Sequence, residues 1–215
     1  MVTHELFILG KLMERPAQGF FLQSVLAAAL GPFERVSWGG VEDVVERMKG
    51  SGLVREDEIA QGDYSRKVYA ITDAGRARFH ALMKETGEYG AGYRDLFRVK
   101  VGCFGHVDAA ARMFILEDYR GYLERLAMHA TSCILSVNTW ANMPEVERPN
   151  VLRAIDFTVA GTEAEIAWVE KQMETMDANA RVEGRRKASG HVPDELPVRR
   201  HGLEFGAEAE IAAEA

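Results

Sequence analysis

The six histidines, His4, His80, His106, His129, His191 and His201, are scattered without metal-ligand spacing. Cys103 and His106 lie three apart, but two ligands on an apolar stretch read as core packing and not as a metal site. The acidic pairs Glu42-Asp43 and Asp57-Glu58 are sequence neighbours whose side chains diverge on a helix or strand, so neither makes a catalytic dyad. No GxSxG, P-loop, HExxH or GxGxxG motif is present. The expectation is a protein that is not an enzyme and uses no cofactor or metal. Other side chains suit binding to a polyanion. Arg66 and Lys67 follow Tyr64 and Ser65, giving two cations beside two hydroxyls for phosphate and sugar oxygens. Arg35 precedes Ser37-Trp38-Gly39-Gly40. There a hydroxyl and helix-start amides suit phosphate, an indole offers an apolar face and a donor, and two glycines permit close backbone approach.

These groups need elements to hold them. His4 to Met13 has apolar residues at helical spacing, with Thr3 as expected N-cap and Pro16 beyond the end. Gln18 to Leu30 reads as a second helix, stopped by Gly31-Pro32. A third runs from about Ser37, its cap, to Lys49, and Gly50-Ser51-Gly52 ends it. The period then becomes strand-like: Leu53 to Glu56, a turn at Gln61-Gly62-Asp63, and Arg66 to Ile71. The Glu56-Asp57-Glu58 run is expected to be a solvated edge. Thr72 caps a further helix with Asp73 in its first turn. Three helices, a hairpin and a following helix are the order of a winged helix-turn-helix. Its third helix would enter the major groove and its hairpin would reach the adjacent backbone.

Beyond Thr86 the chain reads as almost entirely helical. Val107 to about Asn138 is apolar on more than one face, and about Pro149 to Met176 is a second long amphipathic helix after a break at Met143-Pro144. An antiparallel pair that dimerises follows from these two. From about residue 179 the sequence is rich in Gly, charge and small residues, the composition of a flexible tail. No run of about 18 apolar residues or convincing signal peptide appears, and the two cysteines lack CxxC spacing. A cytoplasmic protein with no membrane contact is expected. The net charge of −7 argues against generic polyanion binding, although only the contacting face need be basic.

Two stretches carry a resemblance. Ile8-Leu9-Gly10 with Pro16-Ala17-Gln18-Gly19-Phe20, and Gly52-Leu53-Val54 with Ser65-Arg66-Lys67-Val68-Tyr69-Ala70-Ile71-Thr72-Asp73-Ala74-Gly75-Arg76, resemble the opening, wing and exit of PadR-family regulators. Looser similarity continues into Leu96 to Lys100 and Glu163 to Trp168. The chain departs from the family at Val41-Glu42-Asp43, where Leu-Tyr-Pro is common, and at Phe20, where tyrosine is usual. The family's tyrosine commonly lies near DNA, and here its position is Glu42. Two acids there repel phosphate unless they face away or pair with Arg35, Arg47 or Lys49.

The expected fold is mostly α with a small β-hairpin wing. A winged helix-turn-helix (1–85) precedes a helical dimerisation and effector-binding region (86–178) and a flexible C-terminal tail (179–215). The resemblance implies a homodimeric transcriptional repressor on a palindromic double-stranded DNA operator, released by a small aromatic effector such as a phenolic acid. DNA contacts are expected from Gln18, Phe20, Arg35, Ser37, Trp38, Gly39, Gly40, Tyr64, Ser65, Arg66 and Lys67. An apolar slot with a basic or hydrogen-bonding end is expected from Phe104, His106, Phe114, Arg120, His129, Trp140 and Trp168. The alternative is a winged-helix protein-interaction module without DNA binding, for which Glu42-Asp43 and the acidic total are the motive.

Overall fold

The computed structural model describes residues 2–31, 36–61 and 64–188. Helices α1 (Val2–Glu14), α2 (Gly19–Leu30) and α3 (Trp38–Gly50) come first. Strands β1 (Val54–Gln61) and β2 (Tyr64–Ile71) follow as an antiparallel hairpin, and then α4 (Asp73–Lys84) and α5 (Tyr93–Gly102). A single 3-10 turn (Phe104–His106) leads into the long helices α6 (Ala109–Thr139) and α7 (Arg148–Ala188). Residues 1–177 form one compact unit, and the boundary expected near residue 85 falls inside it. Of the second unit, 178–215, residues 178–188 are described, as the end of α7.

The first half is a winged helix, and its joints follow from local chemistry. Helix α1 is buried along Leu6, Phe7, Ile8, Leu9 and Leu12, and packs on α2, α3, α4 and β2. After Pro16, Ala17 pairs with Tyr69 of β2 through two backbone hydrogen bonds of 3.0 and 2.8 Å. This single bridge sets a one-residue third strand beside β2, just before α2 begins. Gly52, at φ +70°, turns the chain from α3 into β1 in a conformation that a residue with a Cβ adopts only at a cost. Thr72 closes the wing: its Oγ1 donates to the carbonyl of Gly52 at 2.7 Å and accepts the Gly75 N–H at 3.1 Å. Gly75 has no room for a Cβ, because the Leu53 carbonyl oxygen and Ile71 occupy that space.

Three sequence expectations are corrected, and one helix gains its bounds. Helix α1 starts at Val2, so Thr3 lies within it and is not its N-cap. Strand β1 runs on to Gln61, well past Glu56, because its charged residues find partners instead of ending it; Glu56 meets Lys67 of β2 at 2.9 Å and Asp57 binds Arg55 of the same strand at 2.9 Å. Helix α5 had no separate delimitation in the sequence, yet it packs on both α1 and α6. Helix α7 passes residue 179 and continues through Ala188.

One core runs through residues 1–177. Helix α1 contacts α5, and α4 contacts α6. Phe79, Leu82 and Met83 of α4 are in the same buried cluster as Ile115, Leu116 and Leu123 of α6 and Val169 of α7. Lys100 is 3% exposed, and its Nζ donates to the Glu85 carbonyl at 2.7 Å, tying α5 to the end of α4. Burial lowers its pKa. No described helix is long and apolar enough to cross a membrane.

Candidate nucleic-acid interface

Ser37 sits in extended backbone as the N-cap of α3, and its Oγ accepts the Gly40 N–H at 3.2 Å. The helix is regular from Trp38 onward despite the two glycines, whose positions are exposed; a Cβ at Gly39 would meet nothing. Val41, Val44, Val45 and Met48 face the core, leaving Glu42, Asp43, Glu46 and Arg47 exposed. The Trp38 indole is half-buried against the start of α2. A Cβ on Gly19 would overlap its six-membered ring, so Gly19 is the seat for the indole.

The structure brings Gln18, Phe20, Trp38 and Lys67 together around a cleft of about 580 Å³ between α2, α3 and β2. Phe20 is 77% exposed there, a large apolar surface at a position open to a partner. Ser65 and Arg66 are exposed on the wing. Arg35 lies outside the described residues, and of Tyr64 only the backbone is described. Glu42, Glu46, Lys49, Glu56 and Tyr69 line the same cleft. The sequence reading attached no site role to Lys49 or Glu56, because the pairing that unites them crosses from helix to strand.

That pairing is an ion chain. Lys49 Nζ donates to Glu46 at 2.8 Å and to Glu56 at 2.5 Å, and Lys67 Nζ reaches Glu56 at 2.9 Å. Glu56 is therefore not the idle solvated edge expected of its segment. Hydrogen bonds to Lys49 and then Lys67 lower its pKa, and hydrogen bonds to Glu46 and Glu56 raise that of Lys49. Lys67 is raised by its bond to Glu56. The chain links α3 to both wing strands and holds Lys67 against Glu56. Lys49 pairs with Glu46 and Glu56, not with Glu42.

The seven residues expected to form an effector slot are dispersed. His106 Nε2 lies 3.8 Å from Glu14, His129 touches Cys133 at 3.5 Å, and Arg120 pairs with Glu124 at 3.4 Å. Phe104 packs against the core; Phe114 and Trp140 are 42% and 59% exposed. Only Trp168 lines the aromatic cleft that does exist, of about 430 Å³ between α5, α6 and α7, with Arg94, Phe97, Arg98, Val101, Tyr119 and Glu165. Phe97 stacks on Tyr119 with centroids 3.6 Å apart, and Trp168 meets Phe97 edge-on at 6.2 Å. Arg94 Nε donates to Glu165 at 3.0 and 3.2 Å, and the Tyr119 hydroxyl donates to the same carboxylate. Burial, then that hydrogen bond, raises the Tyr119 pKa. Sequence spacing gave no signal for this cleft, since its residues come from three helices. Among the described residues, no group of three or more His, Cys, Asp and Glu side chains could hold a metal ion.

Among solved structures the chain is similar to Bacillus subtilis PadR in complex with operator DNA (15% identity, 80% of this chain and 96% of that one, TM-score 0.37). It is similar to the PadR-like transcriptional regulator BC1756 from Bacillus cereus (20%, 80% and 94%, TM-score 0.35). A third is the virulence activator AphA of Vibrio cholerae (20%, 83% and 99%, TM-score 0.33). No curated protein matches the chain. Residues 8–81 match the model of the transcriptional regulator PadR-like family, and that stretch covers α1 from Ile8 through the wing into α4. The match to the PadR-like family of transcriptional regulators is thus carried by the winged helix, residues 8–81.

Proposed function

We propose that the protein is a dimeric repressor, acting in the cytoplasm, that binds a palindromic DNA operator through α3 and the wing and is released by a small aromatic acid. The observation that carries the DNA reading is the cleft gathering Gln18, Phe20, Trp38 and Lys67 beside an exposed α3, within the segment of family match. Arg66, exposed and without an ion pair among the described residues, is the readiest phosphate contact. Dimerisation is supported by large apolar side chains left in water on the long helices: Met128 at 72%, Leu135 at 62% and Phe157 at 82% exposed. A two-fold dimer reads a palindrome because each copy presents the same helix to a half-site.

The effector reading moves to the cleft between α5, α6 and α7. Its volume lies in the range of small-molecule sites, its walls are aromatic, and Arg94 and Arg98, paired with Glu165 and Asp95, are the cations a carboxylate would compete for. An effector would release DNA by favouring a spacing of the two recognition helices that the operator does not match.

Mobility-shift titration on the DNA flanking its own gene, in a salt series, tests the DNA reading. Retention should fall steeply with salt, and Arg66→Glu should weaken binding to every duplex alike. No retention at low salt on any duplex would favour the protein-interaction alternative. Quenching of tryptophan fluorescence by phenolic acids tests the effector reading: it should be lost in Trp168→Phe, and flat titrations of the unaltered protein sink it.

A further inference from the structure

Resting on the DNA-binding reading above, the carboxylates of the interface separate into two kinds. Glu46 is held by Lys49, and Glu56 by Lys49 and Lys67. Glu42 lines the same cleft, is exposed, and has no hydrogen-bond or ion-pair partner among the described residues. It lies in the second turn of α3, one turn on from Trp38, and N-terminal residues of a recognition helix are those that meet base edges. A bare carboxylate there opposes phosphate, so its charge is useful to a DNA-binding face only against a donor.

We propose that Glu42 is a specificity-determining residue that accepts a hydrogen bond from the exocyclic N4 amino group of a cytosine in each half-site. The major-groove edge offers two amino donors, cytosine N4 and adenine N6. Adenine places its N7 acceptor beside N6, where it repels a second carboxylate oxygen. Cytosine presents only C5–H beside N4. Guanine O6 and N7 and thymine O4 are acceptors and face the carboxylate as like charges. Trp38, seated on Gly19 in the same cleft, fixes the side of α3 from which Glu42 approaches. The carboxylate therefore selects by attraction to one base and repulsion from the other three.

In vitro selection from a randomised duplex pool with the full-length protein tests this, using the unaltered chain, Glu42→Gln and Glu42→Ala. The unaltered protein should enrich a C·G pair at one fixed position of each half-site. Replacing that cytosine should weaken binding by roughly tenfold. Glu42→Gln should move the preference at that position alone to adenine, whose N6 and N7 match an amide, and Glu42→Ala should leave the position degenerate. Because Glu42 is exposed, both variants should keep the thermal transition of the parent. Identical selected sites for all three proteins would overturn the proposal. So would a uniform gain in affinity for every sequence in both variants, which would make Glu42 a purely repulsive charge. Failure of the unaltered protein to retain any duplex at low salt would instead overturn the DNA-binding reading, and this assignment with it.

Discussion

Gly19 and Trp38 show how one missing methyl shapes the binding face. The indole occupies the volume that a Cβ at position 19 would need, so α2 and α3 meet at a distance only glycine allows. Gly19→Ala should push the indole off its seat and cost about 1–3 kcal/mol, the usual range for overpacking. Urea denaturation gives the cost, and the tryptophan emission maximum should shift toward that of an exposed indole. A variant as stable as the parent with unchanged emission would show that the seat is not tight. The tryptophan and the glycine were both visible in the sequence as candidate contacts or motif members. Their mutual packing was not, because nineteen positions of chain separate them and no periodicity relates a glycine at one helix start to an indole at the next.

At the scale of elements, the caps and turns were the most legible features. Ser37, Thr72 and Gly52 perform the local roles their types suggest, since capping and left-handed turns depend on only a few neighbouring residues. The ion chain was illegible for the opposite reason: Lys49, Glu56 and Lys67 come from α3, β1 and β2 and meet only once the hairpin folds back. The aromatic cleft between α5, α6 and α7 is of the same kind, drawn from three helices. The chain predicts a pH signature. The Glu56 carboxyl is held below its ordinary 4.5 by Lys49 and Lys67. Its contribution to docking the wing on α3 is therefore fully present above that value and is lost as pH falls through the lower, folded one. In an NMR titration the Glu56 carboxyl carbon should turn over below 4.5, and Lys49→Met should bring it back up. A midpoint at or above 4.5 in the parent would show that the chain does not form in solution.

At the scale of the molecule, the helical spacing of apolar residues already implied long helices after residue 107, and the proposed dimer would use the apolar side chains they leave exposed. Phe157 is 82% exposed on α7, so an acidic replacement removes no core packing. Phe157→Asp should convert a species of twice the chain mass into a single chain by light scattering, with helix content by circular dichroism retained. A parent protein that already runs as a single chain would end the dimer reading. The acidic total also finds a place at this scale. The cleft proposed to meet DNA has Glu42, Glu46 and Glu56 against Lys49 and Lys67, one net negative charge, so most of the sequence total of −7 lies elsewhere.

The shared core of α1, α4, α5 and α6 has a bearing on how the chain can be taken apart. Cutting after Lys84 would strip α5 from α1 and α6 from α4, baring the sides of Leu9, Phe79, Leu82 and Met83 that those helices cover. A winged helix expressed alone should then be sticky and poorly folded, and the 1–177 unit should melt in one cooperative transition, not two. For such a protein, loss of the helical half through a nonsense mutation or a protease would silence the reading head along with it. Under the proposed repressor reading, truncation should leave an unfolded fragment for the cell to clear and not a constitutive DNA binder.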